Sequence, residues 1–267
     1  MNNTFNSNQP DFNPGQPTVL TIYAHADDEV LPAAGTLILM SRAGWRIESL
    51  FLTNGNLSRS HSVRGAQSPI KGKRQQEAEA ASKIIGANNH YYEFEEGNLP
   101  KRAVLQTVEE AVRRWQPSLM ITHAPQSERY GHGDHEVCSI AVSNVATRKN
   151  IPLWYSAPPV FMRGFEPNFF VDISEIIQEK IAAIDSYESE QDKAFMQLDA
   201  ILVLSRFWAR ELGQKDGYFE AFEIFRHWVD ASFFQGWANS KRSSITKEQN
   251  VSDSANQENL KSNVTAR

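Results

Sequence analysis

A single α/β domain, with a mostly parallel sheet flanked by helices and a helical C-terminal part, is the fold class this chain predicts. Three observations carry that expectation. Apolar runs alternate with amphipathic helical stretches about four times before residue 150, the pattern of strand–helix units joined by right-handed crossovers. The first run, Thr18-Val-Leu-Thr-Ile-Tyr-Ala24, is apolar enough to be a strand buried on both faces. The helical stretches stop at Gly44, Gly86 and Pro117, residues that end helices.

Taken in order, residues 1–16 are rich in Asn, Pro, Gly and Gln and read as a flexible leader. The strand Thr18 to Ala24 leads into His25-Ala-Asp-Asp-Glu29, then a helix from Pro32 to Ala43 and a strand from Arg46 to Thr53. Residues 57–72 lack periodicity and read as a long loop of the kind that forms lids or binding segments. A helix from Lys73 to Ile85 follows, then a weak strand from Tyr91 to Phe94. The helix Lys101 to Trp115 places Val104, Leu105, Val108 and Val112 at helical spacing. The short strand Leu119 to Thr122 then reaches His123, and the loop after it carries Tyr130-Gly-His-Gly-Asp-His135.

Beyond a helix starting at His135, strands are expected at Leu153 to Ser156 and Phe169 to Ile173. A long helix from Glu175 to Ser189 is expected with Ser174 as its cap. Residues 194–230 read as helical pieces rich in aromatics, and 237–267 as a polar, disordered tail. The domain proper is therefore expected over residues 17–236. The late aromatics read as core or subunit interface, the latter implying a homo-oligomer.

Composition removes several classes of function. The chain has 267 residues, a formal net charge of -5, 40% hydrophobic and 22% charged residues, the profile of a soluble globular protein. No basic patch marks a nucleic-acid partner, and no run approaches the ~20 apolar residues of a membrane helix. A single cysteine, Cys138, excludes an internal disulfide and a cysteine-built zinc cluster. A cytoplasmic protein is the expectation. No glycine-rich dinucleotide fingerprint follows the first strand, and no Gly-x-Ser-x-Gly elbow is present.

The chemistry concentrates in two loops that follow strands. His25, Asp27, Asp28 and Glu29 crowd three carboxylates together, which raises their mutual electrostatic cost unless a cation relieves it. Ligands gather beyond the carboxyl ends of parallel strands, so the second loop, with His132, Asp134 and His135, belongs at the same rim. Two imidazoles and a carboxylate with a position left for water form a hydrolytic metal site. A polar turn or a helix cap is the bland alternative for either loop alone, and Asp134 is a candidate cap. His123 is expected to make only a structural hydrogen bond, and Cys138 to pack in the core.

His25-Ala-Asp-Asp-Glu29 is similar to the His-Pro-Asp-Asp-Glu signature of the PIG-L/LmbE-like zinc deacetylases, and His132-Gly-Asp-His135 resembles their His-Pro-Asp-His motif. Arg74-Gln-Gln-Glu77, Glu96-Gly-Asn-Leu99, Val171-Asp-Ile173 with Lys180, and Glu220-Ala-Phe222 echo the family further. The resemblance spans residues 18–230 and implies a Rossmann-like fold. It implies that one Zn2+ per chain is held by His25, Asp28 and His135, with Fe2+ or Co2+ also acceptable to such ligands.

It further implies Asp27 as general base, His132 as oxyanion stabiliser or acid, and Asp134 orienting His132. Tyr130 would face the acyl oxygen, and Arg74 and Glu96 the substrate. The implied reaction is removal of an N-acetyl group from an N-acetylglucosamine-type sugar. Ala26 and Gly133 stand where the family carries prolines, so both loops lose a rigidifying ring. A two-metal phosphoesterase and a metal-stabilised protein without catalysis are the competing readings.

Overall fold

The computed structural model describes residues 15–53, 72–125, 132–158 and 164–228. The expected tail, the loop after residue 53, Tyr130 and the domain boundary at 236 lie outside these residues, as does the leader up to residue 14. Seven strands are described: β1 (Thr18–Tyr23), β2 (Arg46–Phe51), β3 (Ala87–Tyr91), β4 (Leu119–His123), β5 (Leu153–Ser156), β6 (Phe169–Asp172) and β7 (Phe219–Arg226). They form one sheet in the order β3-β2-β1-β4-β5-β7-β6. The β1, β2, β3, β4 and β5 neighbours pair in parallel, whereas β7 runs antiparallel to both β5 and β6.

The helices are α1 (Val30–Arg42), α2 (Lys73–Ile85), α3 (Lys101–Trp115), α4 (Gly133–Lys149), α5 (Ile177–Asp185) and α6 (Leu198–Glu211). Alternate residues of β1 serve opposite faces of the sheet, the period of two that a pleated strand imposes. Val19 and Tyr23 join the core under α1, α2 and α5. Leu20 and Ile22 join the core under α3 and α4.

Four sequence expectations change. The third strand starts at Ala87, directly after the Gly86 helix end, and not at Tyr91. It lies on the sheet edge, where only one neighbour must be paired and polar residues such as Asn88 and Asn89 are tolerated. Phe219–Arg226, expected to be helical, is a strand inserted between β5 and β6. Its aromatics are spaced for a pleated face, and the sheet provides two partners that a local reading cannot see. The expected long helix also shortens to α5, with 3-10 turns before and after it. Ser174 bonds back to Asp172 and does not cap α5.

One buried polar joint sets the position of α1, and with it the loop that precedes α1. Glu220 on β7 accepts the backbone N–H groups of Gly35 and Thr36 at 2.8 and 2.7 Å and the Thr36 hydroxyl at 2.6 Å. Lys180 on α5 completes it, donating to Glu220 at 2.8 Å and to the Leu31 carbonyl at 2.6 Å. A buried pair of this kind is tolerated because every charged oxygen has donors. Gly35 is required at the joint: a Cβ there would lie 2.7 Å from Ile173 Cγ2 and 3.0 Å from Glu220 Oε1.

Candidate metal centre

β1 and β4 are parallel neighbours, and the chain leaves β1 toward β2 on one side but returns through β4 on the other. That reversal opens a crevice at their carboxyl ends, the place where open α/β sheets bind ligands. The loop after β1 and the start of α4 meet there. His25 Nδ1 lies 3.2 Å from Asp28 Oδ2 and 3.3 Å from His135 Nε2, and His135 Nε2 lies 3.3 Å from Asp28 Oδ2. Four ligands at ~2.0–2.1 Å around a tetrahedral ion stand roughly 3.3–3.4 Å apart. The three donors therefore already have the spacing a zinc-sized ion requires.

The second nitrogen of the His25 ring is fixed as well. Its Nε2 lies 3.3 Å from Asp134 Oδ2, and the Gly97 N–H donates to the same oxygen at 2.7 Å. A carboxylate behind a ligating imidazole fixes its tautomer and orientation. Asp134 thus faces His25 more closely than His132, whose Nδ1 is 3.8 Å away. Burial acts to lower the pKa of His25, but Asp28 and Asp134 outweigh it and push the ring up to about 10. Asp28 is held well below the usual carboxylate range: burial opposes this, and His135, His25 and His123 overcome it. Without a cation, the cluster holds its carboxylates by protonating an imidazole.

His132 caps α4, its Nδ1 accepting the Asp134 N–H at 3.3 Å, which leaves Nε2 as the nitrogen carrying hydrogen. Its ring lies edge-on to His25 with centroids 4.7 Å apart, and half of its side chain is exposed. His123 stacks on His135 at 4.0 Å and approaches Asp28 at 3.4 Å, forming a second possible donor group. Its Nε2 accepts the Ala24 N–H at 3.0 Å, so the lone pair a metal would need is directed at backbone.

Asp27 has a φ of +152°, a value that L-residues rarely adopt and that is typical of strained functional positions. Its Oδ2 accepts from Arg74 Nη1 at 2.7 Å. Arg74, expected to face substrate, is 2% exposed, and its guanidinium is engaged by Asp27, the Ala26 carbonyl and Glu190. A buried guanidinium between two carboxylates acts on them before it acts on a ligand. Glu96 is half-buried and stands 3.5 Å from the Thr53 hydroxyl at the site's edge.

Glu29 turns away and is buried, with Tyr187 donating to Oε1 at 2.8 Å; Oε2 has no partner among the described residues. Burial pushes its pKa up to about 8. Sequence reasoning overlooked Glu190 and Lys193. Both come from a charged turn after α5, and nothing in Glu188-Ser-Glu-Gln-Asp-Lys193 signals that part of it is buried.

Fold and site together define an α/β protein with a His/Asp constellation that could hold a metal ion at the switch point of its sheet. Residues 20–146 match the model of the PIG-L family, described as GlcNAc-PI de-N-acetylase, and over them the chain is similar to that family. It is 27% identical over 187 residues to diacetylchitobiose deacetylase of Thermococcus kodakarensis, covering 64% of this chain and 69% of that protein. It is 26% identical over 206 residues to 4-oxalmesaconate hydratase of Pseudomonas putida, covering 68% and 78%.

Among solved structures, 4-carboxy-2-hydroxymuconate hydratase from Pseudomonas putida shares the fold with a TM-score of 0.70 at 19% identity, covering 80% of this chain and 98% of that one. N,N'-diacetylchitobiose deacetylase from Pyrococcus horikoshii does so with a TM-score of 0.62 at 20% identity, covering 79% and 85%. No helix among the described residues is long and apolar enough to cross a membrane.

Proposed function

We propose that this chain is a zinc-dependent hydrolase that removes the N-acetyl group from an N-acetylglucosamine-type sugar or glycoside. The observation that carries the reading is the triangle of His25 Nδ1, Asp28 Oδ2 and His135 Nε2, with edges of 3.2, 3.3 and 3.3 Å. The family match and the deacetylase relative support the same chemistry. A zinc ion at such a site supplies water activation and polarisation of an acyl oxygen.

The chain's own residues divide the remaining work. Asp27 meets its described neighbours through Oδ2, so Oδ1 is the oxygen that takes the proton of the attacking water. His132 presents its Nε2–H to the acyl oxygen as charge builds there, and the proton that Asp27 took from the water passes to the departing nitrogen as the C–N bond breaks, which returns both residues to their starting states. The products are acetate and the free amine. Asp134 holds the His25 ring, and Arg74 holds Asp27. Glu96 and Tyr130 are left for substrate contact.

An acetate-release screen across acetylated amino sugars tests this with zinc-loaded protein. Asp27→Ala should keep one zinc per chain and lose roughly 10²–10⁴-fold in turnover. An Asp27→Ala variant as active as the parent would refute the mechanism.

One observation favours a second reading. The hydratase relative matches a larger share of this chain than the deacetylase does, on the same fold. The same base and metal site would then add water across a carbon–carbon double bond conjugated to a carboxylate. Loss of the ultraviolet absorbance of 4-oxalmesaconate, without acetate release from any sugar, would select that reading.

A further inference from the structure

Asp27 belongs to a group of four charges, two of which, Glu190 and Lys193, lie outside the motifs. Arg74 approaches Asp27 Oδ2 at 2.7 Å and Lys193 approaches the same oxygen at 3.8 Å. Behind both cations stands Glu190, fully buried, which gives Oε1 to Arg74 and Oε2 to Lys193. Two carboxylates and two cations alternate, and at the flank Glu77 Oε2 stands 3.6 Å from Arg74 Nε with Lys73 3.6 Å from Glu77 Oε1, so the charges stay balanced.

The turn that carries Glu190 is fastened on both sides. Ser189 donates its N–H to Glu77 Oε1 at 2.8 Å and its hydroxyl to Glu77 Oε2 at 2.6 Å, and Glu77 lies one turn along α2 from Arg74. Tyr187 donates to Glu29, two residues beyond Asp27. The turn is thus tied to the helix bearing the arginine and to the loop bearing the base.

We infer that Glu190 is a positioning residue for Asp27, holding Arg74 and Lys193 from behind so that Asp27 meets both through a single oxygen. A lone carboxylate facing two cations lowers its energy by turning to give each an oxygen. Glu190 removes that incentive, because each cation already has a buried carboxylate oxygen of its own. Oδ1 of Asp27 then stays directed toward the crevice. The role rests on Asp27 acting as the base, and it assigns Lys193, a third exposed, as the member of the group that reaches solvent.

Glu190→Gln tests the assignment, since it keeps the volume and an acceptor for Arg74 but removes the charge that holds Lys193. With the acetylated sugar that the zinc-loaded parent cleaves, kcat should fall roughly tenfold or more while KM stays within about twofold. Zinc should remain at one per chain, and Glu190→Asp should recover part of kcat. A parental kcat, a change confined to KM, or a loss that tracks lost zinc would each overturn the role. If Glu190→Gln does not fold, Glu190→Asp is read by the same split against the parent.

If the parent releases acetate from no sugar, the proposed reaction fails by itself, and a crystal structure of the Glu190 variant decides the placement. Asp27 turned to give both oxygens to Arg74 and Lys193 supports the inference. Asp27 unmoved rejects it.

Discussion

Asp134 Oδ2 lies 3.3 Å from His25 Nε2, closer than its 3.8 Å approach to His132 Nδ1. The carboxylate of the second loop therefore steadies the proposed ligand of the first, tying the two halves of the candidate metal centre through one hydrogen bond. Asp134→Asn should weaken zinc affinity about 10–100-fold, the usual cost of losing a carboxylate behind a ligating histidine. Competition against a chelating dye measures it. An unchanged affinity would mean that His25 is held in place by other contacts.

Loading the metal should release a proton. Asp28 and Asp134 hold the His25 ring protonated, with its pKa pushed up to about 10 against the opposing pull of burial. A ligating imidazole must be neutral, so binding below that pH displaces one proton. Apparent affinity should rise about tenfold per pH unit between pH 6 and 9. Calorimetry in buffers of different ionisation enthalpy counts the proton, and a count of zero would contradict the pairing.

Gly133 occupies the first helical position of α4, where proline is favoured. A Cβ there meets nothing within 4 Å, and the preceding His132 has φ −75° and ψ 126°, which a following proline accepts. Gly133→Pro should stabilise the protein by about 0.4–1 kcal/mol, mainly by restricting the unfolded chain. Denaturant titration at unchanged m-value is the check. A destabilised variant would show that the loop before α4 needs the glycine's freedom.

Glu29 gives the fold a pH-dependent weakness. Burial raises its pKa to about 8, so the folded chain keeps a proton that the unfolded chain, titrating near ~4.3, has released. The native state binds more protons across that interval, and this contribution to stability declines as pH rises from about 4.5 to about 8, then levels off. In metal-free protein, Glu29→Gln should match the parent's Tm at pH 4.5 and exceed it at pH 8.5. Parallel Tm curves for the two proteins would remove Glu29 from the account.

Much of the site's location was legible in the chain. His25 and Asp28 stand out because they lie in a short polar stretch directly after an apolar run, and His135 because a polar loop carries it from the end of another strand. Helices α2 and α3 were readable to the residue, since their apolar stripes and terminal Gly or Pro are local signals. Glu190, by contrast, lies in a run of charges indistinguishable from a solvated turn, and its burial depends on Arg74, 116 residues away. The strand at Phe219–Arg226 was equally hidden, because its partners β5 and β6 come from separate parts of the chain.

The sequence alone determined the alternation that builds a parallel sheet and the identity of the groups able to hold a divalent ion, because periodicity and residue chemistry are properties of neighbours along the chain. Tertiary structure alone decided which carboxylate serves which histidine, that Arg74 faces Asp27 from within the protein, and that Glu190 stands behind it. Those pairings follow from packing α2, the turn after α5 and the two loops against one rim. A charge's partner is set by distance in space, which the order of residues does not encode locally.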